Sequence, residues 1–470
     1  MRLRILASLV SCSLCSPAIA ADPVFVRDPT FGTGGIATYE WPLWAAYQWN
    51  AARAWVLPLR DGRVAALTQL RSGNYEMGWL NWFEANGTVT PASPGGGPYT
   101  PISPHSSVAG LVQNWDNTIG VLGSVTRTVN DVDFSLIRMY PNGIAEGYQG
   151  CGGVPYTTVA FNVGPAGDRD DVPSAFTLDS TGRSLFAGHV EVGNGVQQLG
   201  VARLDRYCGT YTGFGTEGRV VAALGSAKVV RPKVIVEDPQ ERILIGGSML
   251  TQTGTDAEGR CFITRQLKNG TFDGNFQGNG KYLIGNFARP SGKWTCEISD
   301  IVVDSQSRIY IAGSWHVKSS DGGSGNAFLL RLRPDGSMDS SFNGDPPFGH
   351  VSAQYSATSI LLLEEHDVVI AFTTYAGSQD ELARTNAVER RISTGDYDTR
   401  AIVGGSRWLP VPDSNAYQRV VRADADTFYV VATSGPNYIN HHKTHVVRYR
   451  RASTIPTEPT DRIFAGNFDP

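Results

Sequence analysis

The sequence predicts an all-β, turn-rich protein built from repeats, and three observations predict it. Glycine accounts for 53 of 470 residues, well above a usual share of ~7%, while charged residues fall to 18% and hydrophobic residues, at 41%, suffice for a core. Apolar runs such as Ile301-Val-Val-Asp304 and Ile243-Leu-Ile245 are short and β-branched, and no long 3.6-period segment intervenes. A strand-turn pattern also returns at a period of roughly 60 residues, the range in which repeat architectures declare themselves. The glycines have no three-residue period, and Ala, Glu, Lys, Leu and Arg do not dominate, so collagen, coiled coil and disorder are excluded.

The elements begin with a leader. Arg2 and Arg4, an apolar Ile5 to Val10 stretch and Ala18-Ile19-Ala20 before Ala21-Asp22 read as a secretory signal peptide over residues 1–20. A competing reading takes Leu9-Val10-Ser11-Cys12 as a lipobox with Cys12 lipidated, but its apolar run is very short. Removal of the leader takes away two arginines and no acids, so the net charge moves from −4 to −6. That charge carries no nucleic-acid footprint. No later segment reaches the ~18 to 20 apolar residues of a membrane-spanning helix, so the expected mature chain is soluble, monomeric, and secreted, periplasmic or cell-surface.

The repeat itself is explicit. Asp179-Ser-Thr-Gly-Arg183 precedes Leu185-Phe-Ala-Gly188, Asp238-Pro-Gln-Glu-Arg242 precedes Leu244-Ile-Gly-Gly247, and Asp304-Ser-Gln-Ser-Arg308 precedes Tyr310-Ile-Ala-Gly313. Each reads as a turn entering a strand, and each is followed by a strand ending in arginine, at Arg203, Arg265 and Arg331. Asn86-Gly87, Asn142-Gly143, Asn269-Gly270 and Asp335-Gly336 are type I′ hairpin signals, because both central residues of that turn need positive φ. Thr394-Gly395 holds the same place after Arg391. The strand-end position recurs at Trp82, Arg138, Arg203, Arg265, Arg331, Arg391 and Arg448, seven times in all.

Two copies continue past the turn as Asp273-Gly-Asn-Phe276-Gln-Gly278-Asn-Gly280 and Asp339-Ser-Ser-Phe342-Asn-Gly344. A third, Phe214-Gly-Thr-Glu-Gly218, has Tyr211 where the aspartate would stand. These residues resemble the delta-60 repeat family, whose units run strand, Asp-Gly turn, Asp-x-x-Phe-Gly and closing strand. The match is good over about 173 to 350 and looser around Trp82, Arg138, Arg391 and Arg448. Such repeats look like β-propeller blades, and the resemblance implies no catalytic residues. The last unit, Phe428-Tyr-Val-Val-Ala432 and His445-Val-Val-Arg448, lacks the Asp-x-x-Phe-Gly ending, whereas Asp28-Pro-Thr-Phe31-Gly32 stands alone near the start. The two fragments complete one unit. The expected fold is therefore all-β, a single seven-bladed β-propeller over 21–452, closed by pairing of the N-terminal strand with the last blade. A linker and C-terminal tail follow at 453–470.

Cys151, Cys208, Cys261 and Cys296 remain after leader removal, and an exported chain can join them as two bridges in any of three pairings. Cys151 with Cys208 and Cys261 with Cys296 are favoured, since each pair would staple neighbouring repeats. No two lie close enough for a zinc site.

Other clusters are weighed as ligands. His441-His442-Lys-Thr-His445 offers three imidazoles, but strand neighbours face opposite sides and no His-Glu-x-x-His motif is present. Asp168-Arg-Asp-Asp171 and Asp321 to Asn326 lack the alternating calcium order, and Asp28, Asp273 and Asp339 read as turn-fixing acceptors. Trp41, Trp44, Trp49, Trp55, Trp79 and Trp82 could form a sugar-stacking platform or fill the core. No nucleophile elbow or phosphate-binding glycine loop occurs. The expectation is a binding or interaction module for a protein or glycan, without cofactor, metal or named catalytic residue; a polysaccharide-directed enzyme and a purely structural surface protein are the alternatives. The four mature cysteines are expected to resist thiol reagents until reduced, and a count of free thiols in the native exported chain would refute the bridges.

Overall fold

The computed structural model describes residues 24–41, 50–72, 75–90, 99–102, 107–128, 131–141, 151, 156–163, 170–251, 259–284, 293–318, 325–342, 349–353, 355–362, 368–374, 387–391, 414–434 and 443–452. The leader, the tail, Thr394-Gly395 and His441-His442 lie outside these residues. Every described regular element is a strand, and strands pair antiparallel with their sequence neighbours. Asn50–Pro58, Val64–Ser72, Tyr75–Phe83 and Tyr99–Ile102 make the first four-stranded sheet. Ser107–Gln113, Ile119–Thr128, Asp131–Met139 and Tyr156–Val159 make the next. The same order repeats over 171–222, 229–284 and 293–353. The first strand of each sheet packs on the first strands of its neighbours, which arranges the sheets as a ring of blades, a β-propeller with the first strands innermost.

The seven-bladed expectation is corrected. Six sheets carry a complete blade of four strands or more, whereas Tyr355–Leu362, Val368–Thr374 and Ala387–Arg391 form a sheet of three described strands, set between 293–353 and the closing sheet. The reason lies in what the spacing counts. The arginine marker ends a third strand, so it recurs at Arg391 whether or not a fourth follows, and the Asp-x-x-Phe ending that announces a fourth strand is eroded there.

Closure takes a richer form than one strand. The closing sheet holds Ser414–Arg422, Thr427–Ser434 and Lys443–Ala452, and both Val24–Arg27 and Ile36–Glu40 pair with the last of these. Between those two short strands, Asp28 N donates to Arg448 O (2.9 Å), and Arg448 N donates to Gly35 O (3.0 Å). The Asp28 to Gly35 segment thus does for Arg448 what Asp273 to Gly280 does for Arg265, where the same two bonds are both 2.9 Å.

Each innermost strand carries a register irregularity at one phase of the repeat, for example between Pro173 and Ala175, Pro232 and Val234, and Ile298 and Asp300. A β-bulge sharpens twist and re-aims side chains. It also explains the glycine of the second strand, since a Cβ on Gly247 would sit 2.2 Å from Arg231 O.

The repeat arginines join one blade to the next. Arg265, 1% exposed, donates from Nε to Asp273 Oδ2 (2.9 Å), stacks its guanidinium 4.7 Å from the Phe276 ring, and gives Nη1 to the carbonyl of Pro334 in the following sheet. Arg448 repeats this with Asp28 (2.9 Å), Phe31 (4.7 Å) and Ala85 O (2.6 Å). Where Tyr211 replaces the aspartate, Arg203 turns to Asp179 and keeps the forward bond, to Lys268 O (2.9 Å). Arg138 pairs with Asp116 and reaches Arg206 O (3.2 Å). The hairpin glycine of the next blade makes room: Gly270, at φ +91°, would put a Cβ 3.0 Å from the Phe214 ring, and the adjacent Asn269 O accepts from Gly215 N (2.8 Å).

The disulfides cross the same seams. Cys151 bonds Cys208 and Cys261 bonds Cys296, with Cα separations of 5.0 and 5.1 Å, each linking adjacent sheets. Such bridges place the chain in an oxidising, extracytoplasmic compartment. Arg265→Ala is expected to lower unfolding free energy by about 3 kcal/mol, since it strands the buried Asp273 carboxylate. Denaturant titration against Arg260→Ala, an exposed control, checks this; equal midpoints would remove the arginine bridge as a stabilising element.

Candidate functional site

Antiparallel order around the ring sends the chain ends of the strands to two different sides. The turns after the first and third strands, with the arginine-aspartate pairs, share one end. The beginnings of the innermost strands share the other, together with the connections between second and third strands, so loops 250–260 and 316–326 leave the ring on the same side. At that second end, charged side chains meet near the axis.

Lys233, the bulged residue of its innermost strand, pairs with Glu297 of the next sheet's innermost strand at 2.8 Å, with side chains 34% and 44% exposed. Burial alone would raise the Glu297 carboxyl, but the charge and hydrogen bond of Lys233, then Arg53 and His316, bring it below its usual range. Arg53 belongs to the 50–102 sheet, which does not adjoin 293–353, so its influence on Glu297 crosses the axis. Arg231 sits two residues before Lys233 and, with burial as the larger cause, depresses His189 to about 4, so this imidazole is neutral at physiological pH. Arg53 and Arg231 are both exposed, and neither has a hydrogen bond or close ion pair among the described residues. Beside them Asp300 accepts Ser359 Oγ (2.6 Å) and Ile360 N (3.1 Å), with Arg419 3.5 Å away.

The residues singled out in the sequence have other employment. His445 is a buried link, with Nδ1 2.9 Å from Thr38 Oγ1 and Nε2 2.6 Å from Ser434 Oγ, which ties the N-terminal strand to the closing sheet. Asp170 and Asp171 are described, whereas Asp168 and Asp321 lie outside, and no group of three metal-ligating side chains occurs among the described residues. Asp28, Asp273 and Asp339 accept the amides of Thr30, Asn275 and Ser341 at 3.0 to 3.1 Å, as expected of turn residues, and hold an arginine besides. Hydrogen bonds from Thr181, Arg183 and Arg203 outweigh burial and hold Asp179 at about 2.

The tryptophan platform is corrected to core over the described positions. Trp41, Trp79 and Trp82 are buried, Trp41 packs edge-on against Trp79 (5.3 Å), and Trp55 is half-buried; Trp44 and Trp49 lie outside the described residues. Trp79 and Trp82 do face opposite sides of their strand, joining different cores. Among the described residues the large exposed aromatics are elsewhere, at Tyr140 (45%) and at Trp115 (47%) and Tyr207 (69%), whose rings meet at 6.2 Å on the arginine-bridge end. Sequence reasoning missed this pair, and missed Arg53 and Arg231, because none stands in a motif.

A second group of acids is buried between the 107–159 and 171–222 sheets. Asp131, Asp133 and Asp171 are at most 4% exposed. Asp171 accepts Phe161 N (2.7 Å), and Arg127 reaches Asp133 at 3.1 Å. Burial, and then the neighbouring Asp133 and Asp131, push Asp171 up to about 7. This carboxyl is enclosed by packing and offers no face to a substrate.

No protein-family model matches the chain, and no curated protein sequence matches it. Similar solved structures include a Dyadobacter fermentans protein of unknown function, at 11% identity and TM-score 0.43, covering 89% of this chain and 100% of that one. The polysaccharide lyase Uly1 is similar at 10% identity and TM-score 0.43, over 88% and 92%. An ulvan lyase of polysaccharide lyase family PL25 is similar at 9% identity and TM-score 0.46, over 87% and 96%.

The Asp171 shift has a definite sign. A carboxyl raised from its ordinary 3.8 to about 7 binds its proton more readily in the folded state, so its contribution to stability is greatest at low pH and is lost as pH rises through 7. Asp171→Asn, which keeps the acceptor for Phe161, is expected to raise stability at pH 8 by about 2 kcal/mol and to change it little near pH 4. Unfolding titrations at both pH values check this; a gain equal at both would refute the assignment.

Proposed function

We propose that this chain is an extracytoplasmic binding module of delta-60-like repeats that takes its ligand at the axial end bearing Arg53, Arg231, Lys233 and Glu297. One observation carries the reading. Charged side chains from three sheets converge there, and two of its guanidiniums are exposed with no close ion pair among the described residues, whereas at the opposite end the repeat arginines are spent on aspartates and carbonyls within the ring. The connections between second and third strands, which differ in length, leave the ring at the axial end, which suits a recognition surface borne on a rigid scaffold. The carboxyl pushed furthest upward, Asp171, begins an innermost strand at that end but is closed off between two sheets, which favours binding over acid-base turnover.

A thermal-unfolding screen against neutral and charged oligosaccharides tests the reading. A ligand at 100 times its dissociation constant adds about 2.7 kcal/mol of stability. That gain is expected to vanish in the Lys233→Ala, Glu297→Ala double variant and to survive in Trp115→Ala, Tyr207→Ala. The reverse pattern would move the site to the aromatic end and overturn the assignment.

A further inference from the structure

We propose that the axial end recognises carboxylate groups, with Arg53 and Arg231 as the receptor pair on either side of the Lys233–Glu297 bridge. The inference rests on the binding reading above and adds the chemistry of the ligand. A guanidinium is a planar fork of N–H donors that matches a carboxylate in two parallel hydrogen bonds. In this ring, arginines satisfy that fork wherever they serve structure. Arg265 and Arg331 hold Asp273 and Asp339, Arg203 holds Asp179, and Arg448 holds Asp28.

Arg53 and Arg231 depart from that pattern, being exposed on innermost strands with no hydrogen bond or close ion pair among the described residues. Their surroundings keep the positive charge. Glu297 lies within the field of Arg53, and Lys233 neutralises it at 2.8 Å. Asp300 is occupied by Ser359, Ile360 and Arg419, and His189 is neutral beside Arg231. Beyond His189 lie the half-buried Glu191 and Asp170, with Asp131, Asp133 and Asp171 enclosed between the sheets behind them. Two guanidiniums across one axis favour a ligand with more than one carboxylate, supplied either by a free polycarboxylic acid or by successive uronate units of an oligosaccharide.

Titration calorimetry on the full, disulfide-bonded chain tests this with citrate, trigalacturonate and neutral maltotriose. Trigalacturonate or citrate is expected to bind and maltotriose not, with affinity falling as salt rises. Binding of trigalacturonate alone would identify uronate units as the source, and binding of citrate alone a free acid. Arg53→Gln and Arg231→Gln are each expected to weaken binding about tenfold or more, the loss of a charge-assisted pair of hydrogen bonds. Arg53→Lys is expected to recover part of it, and unchanged melting temperatures would show that the variants fold. Equal binding of maltotriose, no binding by either carboxylate, or affinity indifferent to both glutamines would overturn the proposal. A neutral ligand lost with the Lys233→Ala, Glu297→Ala pair would refute carboxylate recognition while leaving the binding end in place.

Discussion

A guanidinium buried where a third strand ends, as at Arg138, Arg203 and Arg265, is the interaction on which the ring depends. It satisfies an aspartate of its own blade with one edge and a carbonyl of the next blade with the other, while an aromatic ring lies 4.7 Å away in three of the blades. Taking such a charge out of water is costly unless every donor is met, so the arginine, the aspartate, the phenylalanine and the following hairpin are fixed together. Any one of them packed without the others would leave an unpaired buried charge. The arrangement also sets geometry, since the carbonyl to which one blade's arginine donates is held by the turn that the next blade's glycine permits.

The exceptions reveal the rule. Tyr211 removes the aspartate from one unit, and Arg203 pairs with Asp179, its guanidinium 5.4 Å from the Tyr211 ring. Trp82 removes the arginine from the first unit; there Arg60, in the preceding turn of that sheet, reaches Asn114 O of the next sheet at 2.8 Å. What is preserved is a cation donating across the seam, and its position within the blade shifts to whatever the local sequence supplies. This is why repeats whose motif is eroded still join the ring.

Much of the fold was legible because these bridging residues must recur at one phase. Asp-x-x-Phe-Gly, the hairpin glycines and the strand-end arginines are read directly, and the stranded Asp28 to Gly32 fragment announces ring closure. Blade completeness was not legible, because Arg391 marks a third strand and says nothing of a fourth. The functional end was legible least. Arg53 and Arg231 are ordinary arginines in strands, and their meaning comes from a non-local fact, that bulged innermost strands from separate blades bring them to one axis without a close ion pair among the described residues. The tryptophans misled for the converse reason: their clustering in sequence reflects core packing at two seams, with Trp79 of the first sheet against Trp41 of the closing one (5.3 Å) and Trp82 against the 107–159 sheet.

The two ends divide the same residue type between two uses, and the difference is one of solvation. At the bridge end, an arginine 1% exposed must have its partners within the fold, and a ligand could compete only by opening a seam. At the axial end, an exposed arginine retains water on its donors, which a ligand oxyanion can replace without exposing a buried group. The bulge adds the second requirement, because a side chain on an innermost strand is held by a ladder on one side and by neighbouring blades on both faces. The backbone beneath such a guanidinium is fixed before binding, so only the rotamers of the side chain are ordered by a ligand, and the rigidity that makes this possible is supplied by the bridges at the other end.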